Sequence, residues 1–221
     1  YSGQKRLCNA MEYSMLNGGK RFRALLVYWS GYAVSLDTKL LNHIAGAMEM
    51  VHAFSLVHDD LPAMDDDDLR RGKPTCHIAF DQATAILAGD AFQPLAFEFL
   101  SRGYASEPKL ALELIGILAR TAGSERLVGG QMQDLISEGK EPDEETLSYI
   151  HSNKTAVMIR ASLQMGFLLG SAGEDDSKRE LVSRAGLSLG LAFQAVDDLL
   201  DVTSSTMELG KDASHDHDSG K

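Results

Sequence analysis

Residues 52 to 77 read His-Ala-Phe-Ser-Leu-Val-His-Asp-Asp-Leu-Pro-Ala-Met-Asp-Asp-Asp-Asp-Leu-Arg-Arg-Gly-Lys-Pro-Thr-Cys-His. Six aspartates, Asp59, Asp60 and Asp65 to Asp68, fall within ten positions, and Arg70, Arg71 and Lys73 follow at once. Carboxylates this crowded repel one another unless a multiply charged cation sits between them, and hard dications such as Mg²⁺ favour oxygen ligands of this kind. The adjoining guanidiniums suit bidentate contact with phosphate. Together they point to a site for Mg²⁺ and an anionic phosphate ester. An acidic run on a solvated loop is the plainer alternative, and this stretch taken alone favours it.

Upstream, residues 38 to 60 read as a long helix rich in Ala, Met, Leu and Val that Pro62 interrupts. At ~100° per residue, Met48, His52, Ser55 and Asp59 share one stripe, so His52 lies on the face of the first aspartate. An unbroken helix would splay Asp59 and Asp65 by ~120°, and a bend at Pro62 permits them to meet.

The pattern is helical almost throughout. A short amphipathic helix over 4 to 16 stops at Asn17-Gly18-Gly19, and Lys20, Arg21 and Arg23 then precede the apolar segment from Ala24 to Trp29. Cations beside the exposed N–H groups of a helix start make an anion site, although a surface basic patch reads equally well. Residues 77 to 102 form one further long helix in this reading, and Ser106-Glu107-Pro108 supplies the cap and first turn of a helix to 122. Gly129-Gly130 within residues 124 to 137 signals close helix packing or a kink. Pro142 with Asp143, Glu144 and Glu145 starts another helix, and Lys154-Thr155 opens an apolar segment through Leu169. In the last helix, Gly190, Gln194, Asp197 and Asp201 make a polar stripe, with Leu189, Phe193, Val196 and Leu200 largely opposite. Like charges at i and i+4 destabilise a helix, so Asp197 and Asp201 call for a counter-ion.

Composition bounds the partners. With 44% hydrophobic residues in 221, no linker and no repeat, the chain reads as one domain, residues 1 to 221. A net charge of −11 argues against nucleic acid or an anionic membrane as partner. No apolar run is expected to reach membrane-spanning length, and no signal peptide is visible, although a chain opening on Tyr1 leaves room for a removed leader. Cys8 and Cys76 lack metal-ligand spacing and read as free thiols in a reducing compartment, the cytoplasm.

Asp59-Asp60-Leu-Pro-Ala-Met-Asp65 before Leu-Arg70-Arg71-Gly-Lys-Pro-Thr, Gly19-Lys20-Arg21-Phe-Arg23 upstream, and Phe193-Gln194-Ala-Val-Asp197-Asp198-Leu-Leu-Asp201 downstream resemble the trans-isoprenyl diphosphate synthases. The match is nearest to their bacterial-type farnesyl and geranylgeranyl members. Lys154-Thr155 lies between the two aspartate motifs, and the resemblance runs from about residue 5 to Lys221.

The resemblance implies an all-α bundle around a deep central cavity, with the aspartate motifs facing each other across its mouth. It implies that Asp59, Asp65 and Asp197 are Mg²⁺ ligands and that Asp60 and Asp201 are ligands or lie just behind them. Arg70, Lys154, Thr155, Gln194, Lys211 and Lys221 would help hold an allylic diphosphate; Lys20, Arg23, His52 and Arg71 would bind isopentenyl diphosphate without metal. The implied reaction is ionisation, condensation and elimination, with Asp59, Asp65, Asp197 and Lys154 as the catalytic groups. Phe54, with its neighbour Ser55, would set chain length, and an aromatic there beside a Pro-Ala insertion points to a C15 product. A plain core role for Phe54 is as good a reading. The family forms homodimers and continues past Lys221 through further helices, so this chain would lack the C-terminal ones. The acidic, His-rich residues 212 to 218 stand where a mobile loop closes the site. Alternatives are a geranylgeranyl diphosphate synthase, or a non-catalytic subunit of a heteromeric prenyltransferase. A class I terpene cyclase would lack the second aspartate motif and the Lys20 to Arg23 cluster.

Overall fold

The computed structural model describes residues 3–34, 38–140, 142–170 and 176–203. Ten α-helices follow in order: α1 (Lys5–Leu16), α2 (Phe22–Tyr32), α3 (Thr38–Asp59), α4 (Cys76–Ala79), α5 (Gln82–Gly103), α6 (Pro108–Ala122), α7 (Leu127–Ser137), α8 (Glu144–Ile150), α9 (Val157–Gly170) and α10 (Asp176–Thr203). Between α8 and α9 the helix is continuous but passes through a π turn, His151–Ala156. Between α3 and α4 lies a two-stranded hairpin, β1 (Leu69–Arg70) and β2 (Lys73–Pro74), with Arg70 opposite Lys73.

Helix α3 is the centre of the bundle. Leu41, Ile44, Met48 and Val51 are fully buried, and α2, α5 and α9 pack around it. From Lys39 to Asp59 it reaches membrane-spanning length with mean hydropathy 1.2, contrary to the expectation that no run would; 56% of that window is buried in the bundle, which accounts for its apolarity. Glycines permit the closest approaches. A Cβ on Gly46 would meet the Phe99 ring at 2.7 Å, and one on Gly166 would lie 2.3 Å from the carbonyl oxygen of Val27.

The structure corrects several expected boundaries. The single helix expected over 77 to 102 is two, because Asp81 caps α5 by accepting from the Thr84 N–H at 2.7 Å and the chain turns at Phe80. The cap position of α6 is held by Glu107, not Ser106, with Pro108 in the first turn. Lys154-Thr155 precedes the apolar segment as expected, and both residues lie inside the π turn that leads into α9. On α10, Leu189, Val196 and Leu200, opposite the polar stripe, are exposed. It is the Gly190 stripe that packs inward, since a Cβ on Gly190 would lie 2.4 Å from Cα of Ala156. The hairpin was not expected at all. Its two-residue turn, Arg71-Gly72, has positive φ at both positions, 56° and 74°, as a type I′ turn requires.

Candidate active site

The acidic loop after α3 is folded by its own backbone. Beyond Leu61 and Pro62 the chain doubles back, and the Asp65 N–H donates to the Asp59 carbonyl at 2.9 Å while the Asp66 N–H donates to that of Leu61. The bend expected at Pro62 is therefore present. Burial, first of all, pushes Asp59 up to about 7, with Asp65 and Asp60 adding repulsion and Lys154 and Arg70 opposing it. A carboxyl held this far above its usual range is under-compensated by its cationic neighbours.

Arg70 is fixed by two other aspartates. Its Nε donates to Asp60 Oδ1 at 2.9 Å and its Nη2 bonds both Asp60 and Asp67 Oδ2, the latter at 2.8 Å. Asp60 is almost fully buried and thus serves in this geometry as the counter-ion of Arg70. Across the site, Lys154 Nζ donates to Asp134 Oδ2 at 2.6 Å on α7. The Lys154 ammonium is held in its charged form: burial opposes this, but Asp59, Asp134 and Asp65 outweigh it. Gly130 explains how α7 comes so near. A Cβ there would lie 2.5 Å from the Lys154 backbone nitrogen, so the glycine pair marks close packing.

A second, arginine-rich cluster lies beside α3 around Glu49 and His52. Gly18 and Gly19 both have positive φ, 89° and 97°, and present Lys20 on an exposed loop before α2. Arg71, itself at φ 56°, donates from Nη1 to the Gly18 carbonyl at 2.6 Å, and Asn17 Nδ2 reaches the Arg70 carbonyl at 3.4 Å. The loop and the hairpin thereby lock together. Arg23 Nη1 lies 3.3 Å from His52 Nε2; a guanidinium only donates, so that nitrogen accepts and the imidazole is neutral. Burial, followed by Arg23, Arg71, Arg70 and Arg21, holds His52 well below the usual histidine range. Arg23 Nε is buried without a hydrogen-bond partner. A buried guanidinium N–H left without an acceptor, among other cations, suits an anion's oxygen.

A solvent-open cleft has Arg21, Glu49, His52 and Arg71 on its walls, together with Asp60 and Arg70 of the acidic loop and hairpin. Helix α10 reaches the same region. Asp197 is half-buried and close enough to Arg23 to favour its charged form, and Phe193 stacks on Phe22 of α2 with ring centroids 5.2 Å apart. Gln194 Nε2 donates to Asp198 Oδ1 at 2.7 Å, and Asp198 stands 3.5 Å from His151. Thr155 is half-buried next to Lys154. Phe54 is buried with its ring edge-on to His58, centroids 5.0 Å apart, and Ser55 bonds back to the His52 carbonyl. Asp201 lies in the last turn of α10 with only its backbone described, and Lys211 and Lys221 lie outside the described residues.

Among the described residues no three His, Cys, Asp or Glu side chains form a ready metal cage. Mg²⁺ is usually held by one or two carboxylates together with substrate phosphates. The under-compensated Asp59, with Asp65 beside it, is a donor set of that kind.

Residues 4–221 match the profile of the polyprenyl synthetase family. The chain belongs to that family. It is 47% identical over 217 residues to a farnesyl diphosphate synthase of Haemophilus influenzae, covering 97% of this chain and 73% of that one. A farnesyl diphosphate synthase of Escherichia coli is 48% identical, over 96% and 71% of the two chains. Among solved structures, a geranyltransferase from Helicobacter pylori complexed with magnesium and isoprenyl diphosphate superposes with a TM-score of 0.88 at 37% identity, covering 96% of this chain and 72% of that one. The all-helical polyprenyl synthetase fold expected from the sequence is thus the observed one. Two residues of the site escaped the sequence reading: Glu49, whose signal was a lone carboxylate in an apolar helix, and Asp134, whose partnership with Lys154 crosses from α7.

Proposed function

We propose that this polyprenyl synthetase is a prenyltransferase that condenses isopentenyl diphosphate head-to-tail with an allylic diphosphate, dimethylallyl or geranyl, in an Mg²⁺-dependent reaction whose end product is farnesyl diphosphate. The observation that carries the reading is the presence of two clusters of different charge: an acidic one around Asp59 served by Lys154, and an arginine-rich one around His52 with an orphaned Arg23 Nε. A leaving diphosphate needs its developing charge absorbed, whereas an acceptor's diphosphate needs only to be held.

Asp59, Asp65 and Asp197 would hold Mg²⁺, with Asp60 and Asp201 behind them. Bound there, the ion would act as a Lewis acid toward the departing diphosphate. Lys154, anchored on Asp134, and Arg70, anchored on Asp60 and Asp67, offer preset positive charge to the same group, assisted by Thr155 and Gln194. Lys20, Arg23, His52 and Arg71 hold the acceptor, and neutral His52 adds no further repulsion among the arginines. The apolar wall of α3 below the aspartates excludes water from the allylic cation, and the proton lost in the last step goes to released diphosphate. Phe54, with Ser55, limits chain length.

A homodimer is the proposed assembly, supported by exposed Ile86 and Leu87 on α5 and Leu112 on α6. The cytoplasm is the proposed compartment, supported by two free thiols.

The test is product analysis with Mg²⁺, labelled isopentenyl diphosphate, and dimethylallyl, geranyl or farnesyl diphosphate in turn. A C15 product supports the whole reading. A C20 product keeps the chemistry and removes Phe54 from the floor. Binding of diphosphates with no extension of any primer transfers the chain to the non-catalytic subunits.

A further inference from the structure

Glu49 is only 5% exposed on a helix whose other core positions are apolar. Both its carboxylate oxygens are used. Oε2 accepts from Arg21 Nη1 at 3.0 Å, and Oε1 accepts from the backbone N–H of Ala24 at 3.3 Å. Ala24 is the third residue of α2, and the residue at its cap position, Arg21, is left-handed at φ 50° and caps nothing with its own side chain. Glu49 therefore does from α3 what a capping side chain would do locally. Arg21 in turn donates from Nη2 to the Met15 carbonyl at 2.6 Å, at the end of α1. One carboxylate thus ties the end of α1, the Gly18-Gly19-Lys20 loop and the start of α2 to α3. One turn further along α3 stands His52, 3.3 Å from Arg23.

The charge matters as much as the geometry. Arg21, Arg23 and Arg71 all crowd His52. Burial lowers Arg23 to about 10, and Glu49 is the largest influence opposing that. Without a fixed anion, guanidiniums this close repel one another and spread until a ligand gathers them.

We propose that Glu49 is a positioning residue for the acceptor diphosphate: by neutralising Arg21 and capping α2 it keeps Arg23, Lys20 and Arg71 assembled before the ligand arrives. This rests on the assignment of the arginine-rich cluster to isopentenyl diphosphate. Arg21 is then structural, and the ligand meets Arg23 and Arg71 already in place. Preorganisation of this kind lowers the cost of binding one substrate and leaves the ionisation of the other alone.

The test is the full chain carrying Glu49→Gln, which keeps an oxygen for the Ala24 N–H and removes only the charge. The KM for isopentenyl diphosphate is expected to rise roughly tenfold to hundredfold, as for loss of a buried charge-assisted hydrogen bond, with kcat and the allylic KM within about twofold of the parent. The double variant Arg21→Gln/Glu49→Gln removes both charges together and should recover most of the acceptor KM. An unchanged acceptor KM overturns the proposal, as does a parallel fall in kcat and in affinity for both substrates. Binding of inorganic diphosphate in EDTA separates this from the functional reading. If the parent condenses nothing, a weaker metal-free diphosphate affinity in Glu49→Gln still supports the positioning role, and an equal affinity overturns it.

Discussion

The guanidinium of Arg71 occupies the space that a Cβ on Gly19 would fill. A Cβ built there lies 2.4 Å from Arg71 Cζ, and Gly19 also stands at φ 97°, which L side chains rarely adopt. Gly19→Ala is expected to strain the loop and push Arg71 off the Gly18 carbonyl. The acceptor KM should rise roughly tenfold, the scale of one lost charge-assisted contact, with the allylic KM little changed. Steady-state kinetics varying each substrate in turn checks it.

Lys154 is held between α7 and the acidic loop, so its removal should act on leaving-group departure rather than on the acceptor. Lys154→Met is expected to lower kcat by roughly a hundredfold, as for loss of one preorganised electrostatic group. Single-turnover measurements with saturating isopentenyl diphosphate would show it. A change confined to acceptor KM would contradict the assignment.

Asp59 should make metal-free stability fall with rising pH. Its carboxyl is raised from 3.8 to about 7, mainly by burial, so the fold keeps a proton that the unfolded chain has lost. That contribution is fully present below about pH 3.8 and is lost as pH climbs through 7, where a buried charge remains. In EDTA, Asp59→Asn should therefore gain in Tm over the parent between pH 4 and 8. Binding of Mg²⁺ with diphosphate must displace the proton, so its affinity should climb with pH up to about 7. Thermal denaturation and calorimetry across that range test both.

Gly130→Ala adds one methyl against the Lys154 backbone nitrogen, 2.5 Å from the added Cβ. Helix α7 must move, at a cost of about 1–3 kcal/mol, and Asp134 moves with it. Both Tm and kcat should drop together, and Lys154→Met should mask most of the kinetic effect in the double variant.

Phe54→Ala should lengthen the product from C15 toward C20 if the ring is the floor. Its burial against His58 makes the substitution costly, about 3–5 kcal/mol for emptying a core position, so the product should be analysed well below Tm.

Much of this was legible because it depends on residue type and short spacing. The stripe of Met48, His52, Ser55 and Asp59 follows from helical periodicity, and the bend at Pro62 from the chemistry of proline. Asp60 reads as another aspartate of the cluster, yet it pairs with Arg70 because of a hairpin no periodicity marks. The inward face of α10 could not be chosen from the sequence for a related reason. Hydrophobicity normally selects the buried face, but here small residues, Gly186 and Gly190, let backbone meet backbone at Arg160 and Ala156. Glu49 needed the fold itself, since its partners lie more than twenty positions away in the chain.

The π turn at His151–Ala156 has a consequence for how this chain tolerates change in length. Such a turn accommodates one residue more than an α-helix would over the same span. Removing a single residue between Ile150 and Val157 would leave a continuous, well-bonded helix, and the protein could still fold. The helices on either side would keep their mutual facing, because the π turn already absorbs the extra residue. What the deletion would lose is the bulge itself, and with it the setting from which Lys154 reaches Asp134. Tolerance of the fold to such a deletion and tolerance of the site would thus part company.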